Sequence, residues 1–242
     1  MLWFDAADFS TLFFGSGNSV KAWIDKGPMG LAAVQATAAN QPIYAPVAVN
    51  GKPALQFVRT SPSGLITPAV FNPQQWSGFA VINKTTTTGF QEIICARGPF
   101  GSFYADYIAL SSSNTAIQAF NTVGGVFAAP SLAFTNGATV ILSGVRNGGQ
   151  VSAAVNGGSF SSATTTGTPQ SGNFAVSIGC DSPFSGTNTY DGYISECIVC
   201  RRAYDGSAGT PPLHLIVPAY LAWKYGLQAN LPVTRPFKNS PP

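Results

Sequence analysis

Pro218-Ala-Tyr-Leu-Ala-Trp-Lys-Tyr-Gly-Leu227 is followed by Leu231-Pro232 and then by Arg235-Pro-Phe-Lys-Asn-Ser-Pro-Pro242. Pro218 suits the first turn of a helix, where a missing N–H costs nothing, and Gly226 suits the left-handed position that stops one. Between them Tyr220, Leu221, Trp223, Lys224 and Leu227 supply an apolar face. The reading is a closing helix within about residues 213–226 and a proline-punctuated tail over 227–242, lying along the body of the protein. An isolated helix needs a surface to cover, and almost everything before it reads as strand and turn.

Val20-Lys-Ala-Trp-Ile24 and Ala54-Leu-Gln-Phe-Val58 alternate as half-buried strands. Phe79-Ala-Val-Ile82 and Glu92-Ile-Ile-Cys95 are apolar enough for core strands, and Phe103 to Leu110 and Ala116 to Phe120 follow. Val140-Ile-Leu-Ser-Gly-Val145, Arg146-Asn-Gly-Gly149 and Val151-Ser-Ala-Ala-Val155, with Asn156-Gly-Gly158 behind them, make the clearest hairpin. Asn-Gly steps supply the positive φ angles that tight turns need. Phe174–Ile178 and Gly192–Cys200 are the last strands, while Pro42–Pro46 and Asn50–Pro53 read as punctuation. Short strands about every ten residues, separated by Gly, Asn and Pro, argue for an antiparallel β-sandwich rather than a parallel α/β sheet. With no linker and no internal repeat, the reading is one domain over 1–242, its strands within about 2–200.

Charged residues make up 9% of the 242, against roughly a quarter in an ordinary soluble domain, so Ser, Thr, Asn, Gln and Gly must form the surface. Such a neutral polar coat suits contact with sugars or packing into an assembly. The net charge of +3 is scattered, with Arg201-Arg202 the one adjacent basic pair, so a nucleic-acid footprint is not expected. No apolar run approaches the roughly 18 residues of a membrane span, and no membrane partner is expected. Cys95, Cys180, Cys197 and Cys200 read as buried thiols rather than a bridge framework, because Met1-Leu-Trp-Phe-Asp5 enters the fold without an export signal.

The closing segment resembles the ending of laminin-G-like, concanavalin A-like sandwich domains of bacteriophage and bacterial surface proteins. Trp23-Ile-Asp-Lys26, Gln41-Pro-Ile-Tyr44, Asn50-Gly-Lys-Pro-Ala-Leu-Gln-Phe57 and Gly192-Tyr-Ile-Ser-Glu-Cys-Ile-Val-Cys200 with Arg202-Ala-Tyr204 are similar to the same family. The resemblance covers roughly residues 2–58 and 139–238, and implies an all-β concanavalin A-like jelly roll with one short C-terminal helix. The chain departs from the family at Phe57-Val-Arg-Thr-Ser-Pro62, where relatives carry an Asp-rich stretch.

A glucanase on this fold would need two carboxylates about 5–5.5 Å apart, read as acids at alternate positions of one strand. None of the nine acids is so placed, and Glu196, alone in the last strand, reads as a buried or edge group contacting backbone. His214 has no sequence neighbour for nucleophilic catalysis and reads as flanking the helix. Cys197 and Cys200 are three apart on a strand, so they face opposite sides and do not form half a zinc site. No cofactor is required; calcium is the one ion the loops suit, through Asp181 and Asp191. Sugar recognition uses aromatic platforms beside Asn, Asp and Gln, and the candidates are Trp76, Tyr104, Asp106, Phe184, Asn188 and Tyr190. Trp3, Trp23 and Trp223 lie in periodic segments and read as core.

The expected protein is a non-enzymatic virion component made in the host cytoplasm, a capsid decoration or a tail-fibre or baseplate adhesin. Its expected partners are other virion proteins, host-surface glycans bound weakly, and, in a fibre, further copies of itself. The alternative is a secreted carbohydrate-binding module of a polysaccharide-degrading enzyme.

Overall fold

The computed structural model describes residues 1–70, 74–86, 89–97, 106–112, 116–123, 126–128, 131–133, 135–164, 172–181, 188–204 and 212–242; for 97, 106–112, 116–123, 126–128 and 131 it describes strand placement alone. Strands β1 (Leu2–Asp5), β2 (Leu12–Phe14), β3 (Val20–Ile24), β4 (Ala32–Val34), β5 (Ile43–Val49), β6 (Lys52–Phe57) and β7 (Leu65–Ile66) come first. Next are β8 (Gln75–Lys84), β9 (Gln91–Arg97), β10 (Asp106–Ser112), β11 (Ala116–Val123), β12 (Val126–Ala128) and β13 (Ser131–Ala133). The last are β14 (Thr139–Asn147), β15 (Gln150–Val155), β16 (Ser161–Thr164), β17 (Ala175–Ile178) and β18 (Gly192–Cys200), before helix α1 (Leu213–Tyr225).

They form two antiparallel sheets. One runs β16-β15-β14-β8-β18-β6-β5; the other runs β12-β11-β10-β9-β17-β7-β4-β3-β2, with β13 also on β11. In the first sheet β6 pairs with the Gly192–Ile194 end of β18 and β1 with its Glu196–Val199 end, so β1 and β6 lie end to end along one flank. The chain's first and last strands are therefore neighbours, which ties both ends into one sheet.

The period of two along β8 sorts its side chains between two cores. Trp76, Ala80 and Ile82 face the second sheet and join Phe4, Trp23, Leu55, Phe57, Ile94 and Val176. Phe79 and Val81 face the other way and, with Ile141 and Ile198, meet Val217, Leu221, Ala222 and Tyr225 of α1. The helix thus covers the outer face of the first sheet, which explains a helix in an all-β chain. Cys197 and Cys200 obey the same alternation: one lies in the sandwich core and the other beneath the helix. None of the four cysteines is in a disulfide, and all are buried.

The helix starts earlier than Pro218. Pro212 is its N-cap, Pro218 lies inside it and is buried, and the Pro212 carbonyl accepts from the N–H groups of Leu215 and Ile216. Because Pro218 lies so near the N-terminus, its missing donor leaves unmatched only an early carbonyl of the helix. Gly226 ends the helix as expected, at φ 68° and ψ 31°, with Leu227 N–H bonding Ala222 O at 2.7 Å. Trp223 differs from expectation: it is half-buried, and its indole N–H donates to Phe237 O at 2.9 Å, holding the tail. Lys238 adds three 2.7 Å bonds to the carbonyls of Gln228, Ala229 and Leu231, so the tail lies against the body.

A segment read as punctuation and the hairpin turn both differ in detail from expectation. Pro42–Pro46 overlaps β5, tolerated there because β5 is an edge strand where a proline removes no ladder bond. In the β14–β15 hairpin Asn147 pairs with Gln150, so Gly148 and Gly149 form the turn and Gly148 takes the positive φ.

Candidate functional site

Charged and polar side chains concentrate in two places among the described residues. The first lies where α1 crosses β18 and β1. A bulge between Ile194 and Glu196 resets the register and leaves Glu196 on the helix side of the sheet, with no exposed side-chain surface. Its Oε1 accepts from Trp3 Nε1 at 2.6 Å and Tyr220 Oη at 3.1 Å; its Oε2 accepts from Lys224 Nζ at 2.6 Å and Tyr225 Oη at 3.0 Å. Lys224 continues to Asp5 at 2.8 Å, and Lys26 joins Asp5 at 3.0 Å and Asp8 at 3.1 Å. Burial alone would raise the Asp5 pKa, but the two ammonium groups outweigh it and hold the carboxyl below its ordinary value. Burial pushes the Tyr220 and Tyr225 phenols far up, and the Glu196 carboxylate adds to this, so both remain hydrogen-bond donors.

Glu196 therefore contacts side chains, not backbone as expected. Every acceptor position of its carboxylate is committed, which leaves it nothing to offer a substrate. The arrangement is a latch that fastens the first strand, the last strand and the closing helix to one another.

The second place is one end of the sandwich, where the segments after β6, between β8 and β9, and before β18 meet. Glu92 N–H donates to Asn188 O at 2.9 Å, and Asn188 Nδ2 returns a bond to Glu92 Oε1 at 3.3 Å. Asp191 N–H donates to Gln91 Oε1 at 3.0 Å, while Asp191 Oδ1 accepts from Arg59 N–H at 3.3 Å. Thr85 donates twice to Asp191 O, through N–H at 3.0 Å and Oγ1 at 3.1 Å, and Arg59 Nη1 reaches Phe90 O at 3.1 Å. Asn188 and Asp191 are half-buried. Each has spent one side-chain polar atom on the framework, so the Asn188 amide oxygen and Asp191 Oδ2 remain to meet a ligand. Lys84 is buried behind them at the end of β8; burial, with repulsion from Arg59 and against attraction to Asp191, brings its pKa down to about 8. The result is a hydrogen-bonded patch of amide, carboxylate, hydroxyl and guanidinium groups on strand ends.

The residues expected to bind sugar are dispersed. Trp76 is 1% exposed and lies over Gly78, where a Cβ would stand 2.1 Å from the indole Cζ3. Tyr190 is 0% exposed, its ring edge-on to Phe57 with centroids 6.5 Å apart. Both are core residues, and neither presents a ring face: alternation along β8 turns Trp76 inward, and Tyr190 packs edge-on against Phe57. Tyr104 and Phe184 lie outside the described residues, and Asp106 opens β10 opposite Val123, its side chain outside them. Asn188 is half-buried at the loop end, bonded to Glu92 through both backbone and side chain. Of the calcium candidates, Asp181 is buried and Asp191 bonds the Arg59 backbone; among the described residues no three His, Cys, Asp or Glu side chains converge on a metal position. Arg59 and Gln91 were not singled out, because a lone Arg in a loop and a Gln heading a strand carry no spacing signal.

No family model and no curated protein sequence matches the chain. Solved structures do. Domain 4 of AbnA, a GH43 extracellular arabinanase from Geobacillus stearothermophilus, in complex with arabinotriose, superposes with a TM-score of 0.56 at 15% identity, over 84% of this chain and 92% of that one. A heptameric SAP-like pentraxin from Limulus polyphemus gives 0.48 at 15% identity, over 67% of this chain and 76% of that one. The CBM40 of a Ruminococcus gnavus sialidase, bound to α2,3-sialyllactose, gives 0.45 at 13% identity, over 54% and 77%. At these identities the likeness is one of fold, and the arabinanase domain matches the two-sheet sandwich that the strand spacing predicts.

Proposed function

We propose that this chain is a non-enzymatic lectin-like sandwich that holds a saccharide weakly at the Asn188–Asp191 end and serves as a structural or adhesive component of a bacteriophage particle. The observation that carries the binding half is the loop-end patch: Asn188 and Asp191 are held from behind by Glu92, Gln91 and the Arg59 backbone, with acceptor atoms left over. Support for a non-catalytic role comes from Glu196 and Asp5, whose carboxylates are committed to lysine, tyrosine and tryptophan donors. The particle half is supported by the charge-poor sequence and by the resemblance of the closing segment to domains of bacteriophage and bacterial surface proteins.

The second reading, a carbohydrate-binding module of a polysaccharide-degrading enzyme, fits about as well. It is favoured by the sugar-bound arabinanase domain that shares the fold. A glycan array on purified protein tests what both readings share, and no binding at high protein concentration overturns it. Probing purified phage particles with an antibody against the chain separates them: signal in intact particles supports the virion role, and its absence there removes that role in favour of the module.

A further inference from the structure

The tail and the turn after β15 enclose a pocket of about 350 Å³, lined by Ser159, Leu215, Pro232, Thr234, Arg235 and Pro236. Arg235 Nε donates to Gly157 O and Nη2 to Gly158 O, the latter at 2.7 Å, so the guanidinium is clamped side-on to the turn. Lys238 and Trp223 fix the tail on the far side through the carbonyl and indole bonds already described.

A guanidinium has two forked edges. The Nε/Nη2 edge here is used by the turn, which leaves the terminal Nη1/Nη2 edge, the geometry that takes a carboxylate through two parallel bonds. Among the described residues no carboxylate lies within ion-pair distance of Arg235, since all four ion pairs belong to Lys26 and Lys224. Burial also lowers the Arg235 pKa, the mark of a cation short of solvation that a counter-charge would restore. Around it stand two hydroxyls, Ser159 and Thr234, and three aliphatic walls, Leu215, Pro232 and Pro236. Hydroxyls beside flat aliphatic surface match the mixed edge and face of a sugar ring. A peptide carboxylate is a poorer match, because a peptide main chain asks for backbone N–H groups and the two prolines have none.

We propose that this pocket is a second saccharide site, selective for the carboxylate of a uronic acid unit in an acidic polysaccharide. Arg235 forks the carboxylate, Ser159 and Thr234 meet ring hydroxyls, and the prolines pack on the ring. The pocket shares no residue with the Asn188–Asp191 patch and does not depend on the reading given for it.

Isothermal titration of the whole chain with trigalacturonate, with neutral galactotriose and with inorganic phosphate as separate probes tests the assignment. Trigalacturonate is expected to bind at least about tenfold more tightly than either control. Ser159→Tyr, which fills the pocket from an exposed position without touching the Arg235 clamp, is expected to weaken trigalacturonate by about tenfold or more at an unchanged melting temperature. Asn188→Ala is expected to leave it unaltered, which separates this site from the loop end. Equal affinity for galactotriose, phosphate matching trigalacturonate, no binding of trigalacturonate at all, or a Ser159→Tyr variant that binds like the parent each overturns the proposal.

Discussion

The helix-covered face and the loop end of the sandwich both gather charge, and they use it in opposite ways. Beneath the helix, Glu196, Lys224, Asp5, Tyr220, Tyr225 and Trp3 answer one another, and Glu196 has no acceptor to spare. At the loop end, Asn188 leans on Glu92 and Asp191 on the Arg59 backbone and the Gln91 amide, with one side-chain oxygen of each given no partner by these bonds. A buried ion pair is expensive to break, so the first cluster specifies how the helix docks. A half-satisfied polar patch on strand ends adds little stability and is where a ligand can be read. Among the described residues, the cluster with the most ion pairs is therefore the one whose charges are all answered from within.

The contrast can be put under strain most severely at Glu196. Glu196→Ala leaves two phenols and an indole without their acceptor and Lys224 with Asp5 alone, and the expected loss is about 3–5 kcal/mol in denaturant unfolding. A loss below about 1 kcal/mol would dissolve the latch. Gly78→Ala comes next: its methyl would stand 2.1 Å from the Trp76 ring, and overpacking of this kind costs about 1–3 kcal/mol. An unchanged stability there would return Trp76 to the surface and reopen it as a sugar platform.

Lys84 tests the loop end through pH. Its amine titrates near pH 8 when folded and near about 10.4 when unfolded, so below pH 8 both states carry the proton and the folded state bears the full cost of burial. Between those values the unfolded chain holds more protons, and stability rises with pH. Measured against Lys84→Met, the parent chain should gain ground across that window, and a flat or falling difference contradicts a buried amine behind Asp191. Asn188→Ala has the smallest expected effect on unfolding, within about 1 kcal/mol, because one half-exposed amide bond is lost. A larger loss would make Asn188 a second latch.

Strands were easy to read where alternation was strong. Val20–Ile24 and Gly192–Cys200 coincide with β3 and β18, and the helix with its Gly226 stop is where the closing segment puts it. Only the place of Pro218 within the helix differs from expectation: it stands in the second turn, because a proline near the N-terminus of a short helix looks locally like a first-turn proline. The tryptophans were harder. Trp76 beside two glutamines looks like a platform and is core, whereas Trp223 looks like core and straps the tail. Sequence parity identifies two faces of a strand without telling which one a second layer covers, and here both faces of β8 are covered. The loop-end patch was visible only at Asn188 and Asp191, since Arg59 and Gln91 reach it from segments about 100 or more residues away in the chain, and pairing across such separations leaves no local pattern.

The decisive measurement is a titration of the intact chain with a panel of neutral oligosaccharides, arabinotriose among them, followed by calorimetry and by assay for released reducing ends. The account predicts weak saturable binding by at least one member, lost by about tenfold or more in Asn188→Ala at an unchanged unfolding midpoint, with no reducing ends formed. Binding that survives Asn188→Ala intact, or release of reducing ends that disappears in Glu196→Gln, would contradict it.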